Sequence, residues 1–385
     1  MRRGSIGTFL DVTRGSARNV SAGSTDSHQP WERCRQAEGN YPILGTLAVN
    51  LHFNRTARFT RWVVRTGVLH EPFVVIDIGV QGGEHIRWGL LGDHLIVHGF
   101  DAIAEVIEEL RRRHRNEANR HYHCLAAGNT EEERNFHFNA SDPYSSSFYP
   151  QGADRFGLRE WRQEQERRVR VCSLDRLLAE GVIPRADFLK CDVEGFEKDV
   201  FLGAREMLNS VLGIETETNF AASPLYPETH FGTLQKPLLE AHFLIFDLSF
   251  DRVPRTSYRR EVARRRPPGA ALIRGMGRPA TVNALFCRDL IDEADHPENY
   301  MFVCPPVGID QLIKLMIVYE LYGLSDVALD TAMRFVEQLA PRLDVEQAVD
   351  LLADPLCRMR RPSMQSLRRA IGRQLRPFIS LEQRS

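Results

Sequence analysis

With 385 residues, 43% hydrophobic and 26% charged, the chain has the composition of a globular protein large enough to bury a substantial core. Its 50 Lys and Arg stand against 51 Asp and Glu, a formal net charge of -1, so no whole-molecule field favours nucleic acid or anionic lipid and partners must be read from local sites. The seven cysteines (Cys34, Cys124, Cys172, Cys191, Cys287, Cys304 and Cys357) are scattered without a CxxC pair, which reads as reduced thiols and a cytoplasmic setting. The residues after Met1-Arg2-Arg3 form no apolar signal core, and the longest apolar run, Leu315 to Tyr319, is far short of the ~20 residues that span a bilayer, so no membrane partner is expected.

Residues 1–40 are rich in Ser, Gly, Arg, Asn and Asp and read as a flexible arm. Residues 41–70 form a leader segment in which Ala57 to Val64 suits a short helix. The core domain, residues 71–290, opens with Phe73-Val74-Val75-Ile76, a β-branched and aromatic run ending in Asp77 that fits a strand buried on both faces of a parallel sheet. A glycine turn, a helical stretch to about Leu91 and a second apolar strand, His94 to Phe100, complete a βαβ unit. A helix from Ala102 to His114 follows, its last turn carrying Arg111-Arg112-Arg113 as complements to the helix dipole. A third strand lies near His121 to Ala126; His121 and His123 share a strand face, but no Cys or carboxylate completes a tetrahedral set, so no metal ligands are assigned. The irregular segment Asn135 to Gln165 is a candidate substrate lid.

Order resumes with a strand at Val169-Arg170-Val171, a helix from Leu174 to Glu180, and a strand from Asp187 to Asp192 with its crossover helix from Phe196 to Ser210. Val211 to Glu215 is the next strand and Leu234 to Ala241 the next helix. His242 to Phe250 and Thr281 to Cys287 pair as an antiparallel hairpin around a basic solvated loop containing Arg259-Arg260 and Arg264-Arg265-Arg266. Residues 291–385 form a helical C-terminal extension with helices at Gln311 to Tyr322 and Val327 to Ala340. In the second of these, Leu329, Met333, Val336 and Ala340 make a packing stripe.

Two motifs carry chemistry. In Asp77-Ile78-Gly79-Val80-Gln81-Gly82-Gly83, an acid ends the first strand and glycines lead into the next segment, permitting close backbone approach and positive φ. The dinucleotide fingerprint GxGxxG is absent, and an aspartate at this position suits a ligand bearing an ammonium and a sulfonium better than a pyrophosphate. Asp101 ends the second strand 24 residues later, near the distance at which a carboxylate meets ribose hydroxyls in nucleotide-binding βαβ units. The second motif, Lys190-Cys191-Asp192-Val193-Glu194-Gly195-Phe196-Glu197, stands at the carboxyl end of a buried strand, where open α/β sheets bind their ligands. Glu197 reads equally well as a first-turn acid favouring the helix dipole.

On these motifs, with Ser145-Ser146-Ser147, Val171-Cys172-Ser173-Leu174-Asp175, Gly203-Ala204 and Ile214-Glu215, the sequence resembles the FkbM family of methyltransferases over a little more than half its length. The resemblance implies an α/β class I methyltransferase (Rossmann-like) fold, a doubly wound seven-stranded sheet with an antiparallel terminal hairpin. It also implies S-adenosylmethionine as donor and a hydroxyl acceptor on a sugar or another natural product. Two departures stand out: Gly79-Val80-Gln81 replaces the family's Gly-Ala-Asn, and Phe100-Asp101-Ala102 replaces Phe-Glu-Pro.

The expected donor contacts are Asp77, Gly79, Gly82 and Gly83 at the methionine end, Asp101 at the ribose, and Ala126 and Ala127 at the adenine. Asp192 is expected as general base or acceptor ligand, with Glu194 and Glu215 next and Lys190 steadying them. A divalent metal held by these carboxylates is an open alternative rather than an expectation. The expected partner is a small-molecule acceptor, not a nucleic acid, and oligomeric state is not legible. Two readings compete with methyl transfer: a non-catalytic scaffold that keeps the fold, and a nicotinamide-dependent oxidoreductase, which the missing GxGxxG and the terminal hairpin disfavour.

Overall fold

A computed structural model describes residues 57–140, 143–149, 164–220, 229–265, 277–300 and 307–357. Every described residue belongs to one compact unit within Gly45–Ser385. The arm expected at residues 1–40, part of the expected lid, Arg266 and the chain beyond 357 lie outside the described residues.

The first described helix is α1 (Arg58–Thr66), followed by β1 (Phe73–Ile78), a 3-10 segment (Ile86–His94), β2 (Leu95–Asp101), α2 (Ala104–Arg113), β3 (Arg120–Cys124), β4 (Ala126–Ala127), β5 (Glu132–Asn139) and β6 (Glu164–Cys172). Next come α3 (Leu174–Ala179), β7 (Phe188–Cys191), α4 (Glu197–Leu202), α5 (Arg205–Leu208), β8 (Gly213–Asn219), α6 (Gly232–Glu240), β9 (Phe243–Val253), α7 (Thr256–Arg265) and β10 (Arg278–Arg288). The C-terminal part adds α8 (Leu290–Asp295), α9 (Ile309–Leu321), α10 (Ser325–Arg334), α11 (Val336–Leu339) and α12 (Val345–Cys357).

Seven strands form one sheet in the order β3-β2-β1-β7-β8-β10-β9. Pairing is parallel from β3 through β8, and β10 runs antiparallel to both β8 and β9. This is the doubly wound sheet with a terminal antiparallel hairpin that the resemblance implied. The apolar run of β1 is buried at every position because helices cover both faces of the sheet. One face packs on α3 to α6 through Leu174, Leu177, Val200, Phe201, Met207, Leu234 and Leu238. The other packs on α1, the 3-10 segment and α9 through Phe59, Val63, Trp88, Leu91, Ile313 and Ile317, and Leu339, Ala348 and Leu352 extend the same core outward.

Helix α9 is buried on all sides, as expected for a helix without a polar face, so its charged residues must find partners. The Glu320 carboxylate accepts the Phe59 and Thr60 backbone N–H groups at 2.8 and 2.7 Å and the Thr60 hydroxyl at 2.7 Å, capping α1, which has no side-chain cap of its own. The Lys314 ammonium donates to both Asp187 oxygens at 3.0 and 2.9 Å, and Asp187 also accepts the Val74 N–H at 2.8 Å. Burial raises the Asp187 pKa even though Lys314 opposes the shift. Among the described residues no helix is long and apolar enough to cross a membrane.

Several elements differ from the sequence expectation. The strand at Val169 to Val171 exists as part of β6, in a separate three-stranded sheet ordered β4-β6-β5. Its charged alternation, Glu164 to Arg170, leaves one side exposed and cannot fill a central parallel position. The expected lid begins as β5, the antiparallel partner of β6. The helix expected from Phe196 to Ser210 breaks into α4 and α5 at Gly203, where a Cβ would lie 1.9 Å from the Gly128 carbonyl oxygen. The basic loop contains α7, and α12 is an additional helix. The packing stripe is also corrected: the helix breaks at Phe335, leaving Met333 and Val336 58% and 43% exposed, while Ala328, Thr331, Ala332 and Leu339 turn inward.

Replacing Lys314 with Met strands the Asp187 carboxylate in the core and is expected to cost about 3–5 kcal/mol in denaturant unfolding, with Asp187→Asn in the same chain recovering most of the loss.

Candidate active site

The parallel strands β1, β2, β7 and β8 end along one edge of the sheet, and both motifs lie there. Gly79 has φ 81°, and a Cβ on it would meet the Asp192 carbonyl oxygen at 1.9 Å. The first motif therefore needs glycine because the second runs directly against it. The Asp192 N–H donates to the Ile78 carbonyl at 3.0 Å, while the Gly79 and Val80 N–H groups donate to the Phe100 carbonyl at 2.9 and 3.1 Å. Backbone hydrogen bonds thus lock the ends of β1, β2 and β7 together.

The strand register aligns Asp77, Lys190 and Glu215 side by side on β1, β7 and β8. The Lys190 ammonium stands 3.4 Å from Asp77 Oδ1 and 3.4 Å from Asp192 Oδ2. Burial works against the lysine charge, but Asp77, Asp192 and Glu215 outweigh it and hold its pKa above the usual lysine value. Asp77 is 2% exposed; burial raises its pKa to about 6 against the pull of Lys190. Its contact with Lys190 is an ion pair at the long end of hydrogen-bond distance, and Oδ1 finds no aligned donor among the described residues. Glu215 accepts the Tyr322 hydroxyl at 2.5 Å and lies 4.0 Å from Arg87, whose guanidinium stacks on the Tyr322 ring.

A cavity of about 270 Å³ opens at these strand ends, lined on one side by Gly79, Asp101, Ala126 and Ala127 and on the other by Lys190, Asp192 and Glu194. Seven of the eleven expected site residues thus share one space. Asp77 sits beside it behind Lys190, Gly82 and Gly83 shape the turn without lining it, and Glu215 faces Tyr322. Asp101 Oδ1 accepts the Ile103 N–H at 2.8 Å, and burial raises the pKa of this acid to about 7 despite that bond. Gln81, one of the departures from the family pattern, lines the cavity and donates to the Pro143 carbonyl at 3.1 Å.

Glu194 adopts φ 53°, rare for a residue with a Cβ and a mark of strain held by its surroundings. The Ser147 hydroxyl donates to its carbonyl at 2.8 Å, tying the serine cluster to the second motif. Ser145 and Ser146 in turn accept from the Asn139 side chain and N–H at 3.0 and 3.1 Å. Glu197 is more than a first-turn acid. Its carboxylate, 1% exposed, accepts the Val193 and Gly195 N–H groups at 3.2 and 2.9 Å, stapling the loop that presents Asp192 and Glu194.

Further walls come from Phe136, Tyr144, Ser146, Phe148, Phe196 and Glu217, none of which the sequence reading assigned to the site. The first four belong to the segment read as an irregular lid. Glu217 carried a signal, since it lies two residues after Glu215 on the same strand and shares its face. Burial, then Asp192, Glu194 and Asp251, raise its pKa to about 8 against Lys190. It makes no hydrogen bond or ion pair among the described residues. Away from the site, His98, His121 and His123 stack at the sheet edge, with His98 Nδ1 3.1 Å from His123 Nε2. Burial depresses the pKa of His98 to about 3 and that of His123 to about 4. Among the described residues no group of three or more His, Cys, Asp or Glu is arranged to hold a metal.

Residues 81–231 match the family model described as the methyltransferase FkbM domain. No curated protein matches the chain. Solved structures similar to it include fibrillarin from Aeropyrum pernix with natively bound S-adenosyl-L-methionine, 12% identical with a TM-score of 0.28 over 56% of this chain and 66% of that one. Magnesium protoporphyrin IX methyltransferase from Synechocystis is 11% identical with a TM-score of 0.30, covering 67% of this chain and 94% of its own. Precorrin-6y C5,15-methyltransferase from Geobacter metallireducens is 11% identical with a TM-score of 0.28, over 59% and 87%. The likeness rests on the family match and not on these three: residues 81–231 are similar to the methyltransferase FkbM domain.

Proposed function

We propose that the cavity at the strand ends binds S-adenosylmethionine and directs its methyl group to a hydroxyl oxygen of a small-molecule acceptor, a sugar or another natural product. The observation that carries this reading is the convergence, in one cavity lined mostly by residues that match the methyltransferase FkbM model, of the Gly79 turn, the Asp101 carboxylate and the Lys190-Asp192-Glu194 cluster. The residues present fit the donor. The Asp101 carboxylate accepts the Ile103 N–H and a hydrogen bond from the Gln81 side chain, and lines the cavity where ribose hydroxyls would meet it. Ala126 and Ala127 offer small apolar side chains beside the adenine, and Asp77, beside the cavity behind Lys190, adds negative charge that favours a cationic ligand. When bound, the donor supplies an electrophilic methyl group on a positively charged sulfur. The chain's own part is to orient both reactants and accept a proton.

On the acceptor side, Asp192 and Glu194 are the hydroxyl ligands, held by Lys190 and by the strained loop that Ser147 and Glu197 fix. Gly82 and Gly83 keep the turn in its left-handed conformation, with φ 84° and 95°. Glu215, the register neighbour of Lys190, acts at a distance by anchoring Tyr322. Cytoplasmic residence fits the reduced-thiol reading of the cysteines.

Calorimetry with S-adenosylmethionine, S-adenosylhomocysteine and NAD tests this directly. The first two are expected to bind, with Asp101→Ala weakening both by about tenfold or more, equivalent to ~1.4 kcal/mol for a lost polar contact; binding of NAD alone would contradict the reading. Asp101 also makes a pH prediction. Its folded pKa, about 7, lies above its unfolded value, so ionising it costs stability as pH rises through 7 and costs nothing below the unfolded pKa. Asp101→Asn is therefore expected to raise the stability of the ligand-free protein at pH 8 by on the order of 2 kcal/mol and to leave it unchanged near pH 4.

A further inference from the structure

We infer that Glu217, rather than Asp192, is the proton-accepting carboxylate of the pocket, neutral while the site is empty and ionised once a cationic donor occupies it. The inference rests on the methyl-transfer reading and deepens it.

Asp192 is poorly suited to take a proton. Its Oδ2 stands 3.4 Å from Lys190, and protonating it would leave a buried ammonium with one fewer counter-charge. Glu194 is not free of partners either. Glu217 lines the same cavity from the next strand and has no hydrogen-bond or ion-pair partner among the described residues, so both its oxygens are available to a ligand. The charged groups facing it are Lys190 from β7, Asp192 and Glu194 from the loop after β7, and Asp251 from β9. Three of the four are acids, and the one cation is already held by Asp77 and Asp192.

This environment keeps a proton on Glu217 near neutral pH, which is where a general base works best. A sulfonium in the cavity supplies the missing positive charge and favours the ionised form. In the transfer, the acceptor hydroxyl's proton passes to the Glu217 carboxylate as its oxygen bonds to the methyl carbon, and the pair of the broken carbon–sulfur bond stays on sulfur, which becomes neutral. Neutralising the sulfur removes the charge that held Glu217 ionised, so the carboxyl retains that proton until the next donor binds.

The test measures protons released on binding, by calorimetry at pH 7 in two buffers of different ionisation enthalpy. S-adenosylmethionine is compared with S-adenosylhomocysteine, which keeps the ribose, adenine and ammonium and lacks the methyl group and with it the sulfonium charge. Contacts of Asp77 and Asp101 with the ammonium and ribose are common to both ligands, and comparison with Glu217→Gln removes whatever else these two acids contribute. The expected result for the wild-type protein is most of one additional proton released with S-adenosylmethionine, and in Glu217→Gln the loss of that difference with both ligands still bound. Asp251→Asn, which alters an exposed neighbour outside the pocket, is expected to shrink the difference by relieving the repulsion that holds the proton on Glu217. A difference that persists unchanged in Glu217→Gln would overturn the assignment, as would wild-type protein that binds both ligands with equal proton release. Failure of the wild-type protein to bind S-adenosylmethionine at all would instead overturn the donor reading, and this assignment with it.

Discussion

The site depends on one partly buried ion-pair system, the Lys190 ammonium between Asp77 and Asp192. An unpaired ammonium at this depth would lose its proton, and an unpaired Asp77 would gain one. Together they keep charge in a place where the sheet alone would exclude it. The arrangement is built by register, because β1 and β7 pair so that Asp77 and Lys190 are direct neighbours. The glycine at 79 then lets the loop carrying Asp192 come within van der Waals reach of the β1 turn. Fold and chemistry meet in those few atoms.

Around this centre the molecule holds several acids in a partly unfavourable state. Asp77, Asp101, Glu197 and Glu217 all have pKa values raised chiefly by burial. Their shared position at the strand ends is what a cationic, hydroxyl-rich ligand would relieve. Stability comes from elsewhere. The face opposite α3 to α6 is covered by α9, whose Lys314 and Glu320 reach Asp187 and the start of α1 and so join the two ends of the described chain to one sheet. Glu197, by contrast, serves geometry: it fixes the loop that presents Asp192 and Glu194.

Much of this was legible in the sequence because it is local. Phe73 to Ile76 read as a buried strand from composition, and Asp101 stood at the right distance from Asp77. The lysine-to-glutamate motif marked the strand end that faces the cavity. What escaped was tertiary in origin. The helix after the motif breaks at Gly203 because Gly128 approaches it from another element, which no propensity records. The stripe at Met333 and Val336 failed because the helix restarts at Val336 and changes phase. The second sheet, which brings Phe136 to the cavity wall, lay partly in a segment that reads as an irregular lid. Glu217 was overlooked because its role depends on neighbours from three other segments.

The central claim is that Lys190 organises the carboxylates on which the donor pocket depends. Affinity of Lys190→Met for S-adenosylhomocysteine, measured alongside its circular dichroism, tests this most directly. Without the ammonium, Asp77 and Asp192 lose the partner that holds them in place, so a folded variant with affinity lowered about tenfold or more is the expected result. A folded variant that binds as tightly as the wild-type protein would contradict the account.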